Sequence, residues 1–137
     1  MTQPFLKYYE DLKDILTVEE INAEFNKLLD IAEQRKISKF NICDALWELA
    51  DRQYHTYTFF DIKIKNRITI WLTQNWNTEF QFIEKIGRIA GSIGLKAVVE
   101  LLKESLSNDL PANVEREIKE TLLEIEPHIA DPYYDLK

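Results

Sequence analysis

The apolar positions of this chain recur every three or four residues, and polar breaks divide them into blocks. Phe5, Tyr8, Leu12 and Ile15 sketch a short opening helix. Thr17 then begins the run Thr-Val-Glu-Glu, in which Glu20 can answer a Thr17 cap, and Ile21, Phe25, Leu28, Leu29 and Ala32 follow on one face. Residues 35–38 interrupt the pattern, and Ser38 can cap a helix carrying Cys43, Leu46, Trp47, Ala50 and Tyr54. Thr78 and Gln81 read as a second capping box before Phe82, Ile83, Ile86, Ile89 and Ala90. Leu95, Val98, Val99, Leu102 and Leu106 make another stripe; Val114, Ile118, Leu122 and Ile125 make the last, which Pro127 stops.

Residues 58–72 read two ways. Phe60, Ile62 and Ile64 alternate with Asp61, Lys63 and Lys65 as in a strand, with Lys65 and Asn66 at a hairpin turn. Phe60, Ile64, Ile68, Trp71 and Leu72 also form an unbroken helical stripe. Lys-Asn without a glycine is a poor two-residue hairpin turn, so helix is the favoured reading.

These blocks predict an all-α single domain over residues 1–137: a right-handed stack of antiparallel helical hairpins at 17–54, 58–91 and 94–126, with a lead-in helix. In the tail, 127–137, Ile129, Tyr133, Tyr134 and Leu136 are expected to fold back over the end of the stack. Units of roughly 33 to 38 residues match an α-solenoid repeat, although the units share no visible sequence.

Composition supports helices. The chain has 3 glycines and 4 prolines, too few for the turns a β-rich fold of this size needs. All the glycines, Gly87, Gly91 and Gly94, fall within "IGRIAGSIGL". Their spacing is neither a dinucleotide fingerprint nor a P-loop, and Lys85, Arg88 and Lys96 exclude a membrane dimer motif. The reading left is mechanical: Gly91 or Gly94 takes positive φ to end a helix, and Gly87 lets a neighbouring helix approach closely.

Charge then narrows the partners. The formal net charge is −7, with residues 1–55 and 98–137 acidic and residues 56–97 mildly basic. Such a balance disfavours nucleic acid and anionic membrane and favours a basic protein. Lys63, Lys65, Arg67, Lys85, Arg88 and Lys96 are too interrupted to make a phosphate-tracking surface. The single cysteine, Cys43, gives no internal disulfide, the opening residues do not resemble a secretory signal, and no apolar run spans a bilayer. The expected location is the cytoplasm.

Catalytic chemistry finds no constellation. His55 and His128 lack metal-binding helical spacing, and Cys43 shares an apolar face with Leu46 and Trp47. No cofactor, metal or small-molecule substrate is expected. Two acidic stripes stand out: Asp44, Glu48 and Asp51, and Glu117, Glu120 and Glu124, each roughly a quarter turn from its helix's apolar face. Each serves either as a solvated face or as a contact surface for a basic protein.

The segment "IEKIGRIAGSIGLKAVVELLKESLSNDLPANVEREIKETLLEIEP" resembles a HEAT-like helical pair: helix, Ile-Gly corner, Leu-rich helix, polar break, then "VEREIKETL". Joined to a small acidic chain ending "DPYYDLK", it resembles the helical immunity proteins of bacterial contact-dependent inhibition and related polymorphic toxin systems. The resemblance implies a non-enzymatic protein that binds a cognate toxin C-terminal domain, often a basic nuclease, and occludes its active site or substrate groove. It further implies that Asp44, Glu48, Asp51, Glu117, Glu120 and Glu124 meet that partner. The alternative is a HEAT-like adaptor for an endogenous basic protein.

Overall fold

A computed structural model describes residues 4–58 and 60–129, and among them the regular structure is entirely helical. The α-helices are α1 (Pro4–Glu10), α2 (Val18–Glu33), α3 (Lys39–Tyr54), α4 (Ile62–Gln74), α5 (Phe80–Ile93), α6 (Lys96–Ser105) and α7 (Ala112–Ile125). A 3-10 turn, Glu126–His128, follows α7. No helix among the described residues is long and apolar enough to cross a membrane.

Local chemistry sets the boundaries. The Thr17 hydroxyl accepts the Glu20 N–H at 3.1 Å while Glu20 Oε1 accepts the Thr17 N–H at 2.9 Å, closing the expected capping box of α2. Ser38 caps α3 through the Asn41 N–H at 3.2 Å. Residues 62–74 are helical because Asp61 Oδ1 accepts the N–H groups of Lys63 and Ile64, at 2.9 and 3.1 Å, and holds the first turn. Ile62, which lent the segment its strand-like alternation, is 65% exposed at the first helical position.

Two boundaries differ from the sequence reading. Thr78 and Gln81 make no capping box: Glu79 is the N-cap of α5 without a side-chain bond, and Asn77 Oδ1 accepts the Glu79 N–H at 2.9 Å, moving the start one residue along. Helix α1 ends at Glu10, so Leu12 and Ile15 fall beyond it, and Ile15 is 85% exposed. The buried ring of α1 is Tyr9, not Tyr8, because Tyr8 directs its phenol to Glu24 of α2 at 2.7 Å while Tyr9 packs on Phe5.

The helices contact one another in two rows. α1, α3, α5 and α7 touch in succession, α2, α4 and α6 likewise, and α2 with α3, α5 with α6 and α6 with α7 join the rows. Between them lies one core, whose fully buried members include Phe25, Leu46, Leu49, Ile68, Leu72, Phe82 and Ile83. Each such side chain contributes about 1.5–3 kcal/mol by leaving water. Trp71 is buried, and Trp76 donates its indole N–H to the Ser105 hydroxyl at 3.0 Å.

Polar ties cross the rows at the rim. Arg67 of α4 reaches Asn26, Asp30 and Glu33 of α2, and Lys103 of α6 pairs with Glu126. Arg52, 6% exposed, donates to the carbonyls of Leu12, Lys13 and Glu48 at 2.7–2.9 Å, fastening the link after α1 to α3.

The glycines behave mechanically. Gly94 caps α5 at φ 71°, and its N–H returns to the Ala90 carbonyl at 2.8 Å, so α6 starts two residues later. A Cβ at Gly87 would stand 2.8 Å from Thr121 Cγ2, closer than packed side chains allow. Gly87 therefore sets how closely α7 lies on α5. Of the residues expected to cap the stack, Ile129 is partly buried against the core, whereas Tyr133, Tyr134 and Leu136 lie outside the described residues.

Candidate functional site

The close approach of α7 to α5, continued by α3 on the other side of α5, leaves an open groove of about 580 Å³ along these three helices. Gly87 and Gly91 line it from α5, and the absence of side chains there lets Thr121 and Ile125 of α7 settle close over the helix to form its floor. Trp47, Asp51 and Tyr54 border it on α3, Glu84 and Arg88 on α5, and Glu117, Thr121 and Glu124 on α7. Both histidines stand at one end, with Ile125 and Ile129.

The structure divides the six carboxylates read from the sequence. Asp51, Glu117 and Glu124 line the groove; Asp44, Glu48 and Glu120 do not. Asp44 is paired with Lys85, which ties α3 to α5. Glu48 accepts from Arg52 at 3.3 Å and so belongs to the buried lock on the α1–α2 link. Glu120 is exposed on α7, close enough for its charge to act on Glu117. The two stripes are therefore not two equivalent surfaces.

Glu84, Arg88 and Thr121 escaped the sequence reading. The available signal was the spacing of Glu84, Gly87 and Gly91, three and four residues apart, which puts one carboxylate and two glycines on a single helix face. A carboxylate beside a bare helix face marks a place where a neighbouring helix comes near and charge is displayed over it.

The electrostatics of the groove are uncompensated. Among the described residues, Glu84, Glu117, Glu124 and Arg88 form no ion pair, although nine other pairs occur in the structure. Burial raises the Glu117 carboxyl above its ordinary value, and Glu84, Glu120 and Glu124 raise it further, with Arg88 opposing. Asp51 lies 3.9 Å from the His55 ring, and His55 Nδ1 sits 2.7 Å from the Asp51 carbonyl. Negative charge thus prevails across the groove, with Arg88 as its fixed cation.

Thr121 is 7% exposed, and its hydroxyl has no hydrogen-bond partner among the described residues. Its side chain lies over Gly87. By contrast Cys43 is buried away from the groove, and burial pushes its thiol up to about 12, with Asp44 adding and Lys85 and Lys39 opposing. Among the described residues no group of three or more His, Cys, Asp or Glu is placed to hold a metal ion. The arrangement can therefore attract and hold a cationic group. Comparison of the chain with protein-family models, with curated proteins and with solved structures gives no match in any of the three.

Proposed function

We propose that this chain is an immunity protein, which binds a cognate basic toxin domain of the nuclease type and neutralises it by stoichiometric occlusion. The observation that carries the reading is the groove of α3, α5 and α7, where Glu84, Glu117 and Glu124 form no ion pair among the described residues and outnumber Arg88. A nuclease binds phosphates with Lys and Arg, so a surface that presents carboxylates competes for the same groups. Complementary charge also speeds capture, with association rates reaching about 10⁸ M⁻¹s⁻¹ at low salt. Action of this kind involves no turnover, and its place is the cytoplasm, where the toxin acts.

The fold fits that role as a right-handed HEAT-like stack of the hairpins α2–α3, α4–α5 and α6–α7. Contacts of α2 with α3 and of α6 with α7, and the succession α3, α5, α7, support this arrangement, whereas α4 meets α2 and α6 more than it meets α5. A stacked row presents one side chain per helix at successive steps, and Asp51, Glu84 and Glu117 occupy such steps.

The test is growth. The C-terminal segment encoded immediately upstream is expressed in a sensitive bacterium with and without this chain. Toxicity relieved by this chain supports immunity; a harmless segment, or killing regardless of this chain, overturns it in favour of an adaptor role.

A further inference from the structure

We infer that the groove between α3, α5 and α7 is an arginine socket: it takes the guanidinium of a single anchoring arginine from a protein partner, between the carboxylates of Glu84 and Glu117 and the rings of Trp47 and Tyr54. The inference rests on the groove being the partner surface and adds the chemistry of the partner's central residue.

Four observations meet there. The groove is concave, with a volume of about 580 Å³, and its floor is formed where Thr121 and Ile125 of α7 pack over Gly87 and Gly91 of α5. Glu84, Glu117 and Glu124 are unpaired among the described residues, and Glu84 and Glu124 lie close enough to act on Glu117, which invites a cation. Thr121, 7% exposed and with no hydrogen bond to its hydroxyl among the described residues, lines the same space and offers an acceptor to an N–H. Trp47 and Tyr54 supply flat apolar walls on the α3 side.

This combination selects arginine over lysine. A guanidinium is planar, stacks on aromatic faces, and spreads five N–H donors in a fork that two carboxylates and a hydroxyl can share. An ammonium is a compact, strongly hydrated point charge that gains little from the rings. Arg88 lines the same groove and already offsets part of the charge around Glu117, so the partner segment carries one buried arginine rather than a basic run.

The probe is a capped nine-residue peptide of alanine and glycine with one central arginine, beside versions carrying lysine or citrulline. Nitrogen–proton correlation spectra of the full chain follow the Trp47 indole and the amides of Gly87 and Thr121. The arginine peptide is expected to shift these signals with a Kd on the order of 1 mM. Lysine should bind about fivefold more weakly or worse, and citrulline should leave the signals unmoved. Glu117→Gln and Glu84→Gln should each weaken binding about tenfold. Thr121→Val, which keeps the shape and removes the hydroxyl, should weaken it by a smaller factor.

Equal shifts with citrulline, shifts confined to other helices, or wild-type binding by Glu117→Gln would each overturn the socket. So would groove signals that move with protein concentration in the absence of peptide, since a second copy would then be the occupant. Socket and immunity fail separately. Growth protection together with unchanged toxin affinity in Glu117→Gln sinks the socket alone; peptide binding without growth protection sinks immunity alone.

Discussion

Gly87→Ala tests the geometry on which the groove depends. The added Cβ would stand 2.8 Å from Thr121 Cγ2, 3.4 Å from its Oγ1 and 3.7 Å from its Cβ. Threonine is branched at Cβ and its χ1 is stiff, so the methyl cannot swing aside cheaply. The α5–α7 interface must instead open by several tenths of an ångström, and overpacking of this kind costs about 1–3 kcal/mol. Replacing glycine by alanine inside a helix returns about 0.8–1 kcal/mol. The net expectation is a loss of about 1 kcal/mol, measured as a lower urea midpoint with unchanged slope. Thr121→Ser removes the offending methyl. Alone it should cost about 0.8 kcal/mol for the buried carbon, yet in the Gly87→Ala background it should cost nothing or stabilise, a coupling of about 1 kcal/mol. Gly91→Ala is the control: its Cβ meets Ile125 Cγ2 at 3.3 Å, so helix propensity offsets the contact and stability should stay within about 0.5 kcal/mol of wild type. A Gly87→Ala protein as stable as wild type, or strict additivity with Thr121→Ser, would refute the close-approach account.

Arg52→Met should destabilise by about 3 kcal/mol or more in urea unfolding, because three backbone carbonyls lose a charged donor in a buried place; Arg52→Lys should rescue little, lacking the fork. Cys43 should resist alkylation in the folded chain at neutral pH and react once urea unfolds it, a difference readable by mass spectrometry. Glu117 carries a raised carboxyl pKa, so the folded chain holds its proton more tightly than the unfolded chain does, and ionisation opposes folding. Glu117→Gln should therefore raise stability at neutral pH. That gain should fade as pH falls through the raised value toward 4.5; a variant less stable at pH 7 would contradict the sign.

Much of the helical order was legible because caps and stripes are local. Thr17 with Glu20, Ser38, and the glycine that ends α5 all act within a turn of themselves, so a sequence window contains the whole interaction. Errors arose where a short polar residue competed with its neighbour: Asn77 fixed the α5 boundary that Thr78 was expected to set. Tyr8 and Tyr9 could not be ranked from their own helix, since Glu24 and the core, both distant in sequence, decide which ring is buried. The groove shows the same limit. Asp44, Glu48 and Asp51 look equivalent on a helical wheel, but Lys85 pairs with the first and Arg52 takes up the second. Glu84 was hidden because its significance lies in the approach of α7, which no window on α5 displays.

Salt dependence separates the two roles of acidic charge in this molecule. Asp30, Glu33 and Asp44 each meet a cation of another helix, so screening weakens contacts that hold the fold. The Arg67 pairs put their carboxylates in solvent and contribute about 0–1 kcal/mol each, while the Lys85–Asp44 pair is part-buried and less screened. The groove carboxylates do the opposite: they repel one another in the free chain and gain only when a cation arrives. Raising ionic strength should therefore leave the stability of the free chain nearly flat, as weakened pairs offset relieved repulsion, while partner affinity falls steeply. Glu117→Gln should make the affinity less steep in salt and should tilt chain stability downward with salt, because one source of repulsion is gone. Unfolding in urea and binding by calorimetry across the same salt series measure both. If affinity proves insensitive to salt, the partner is not held by charge, and the groove carboxylates lose the role assigned to them.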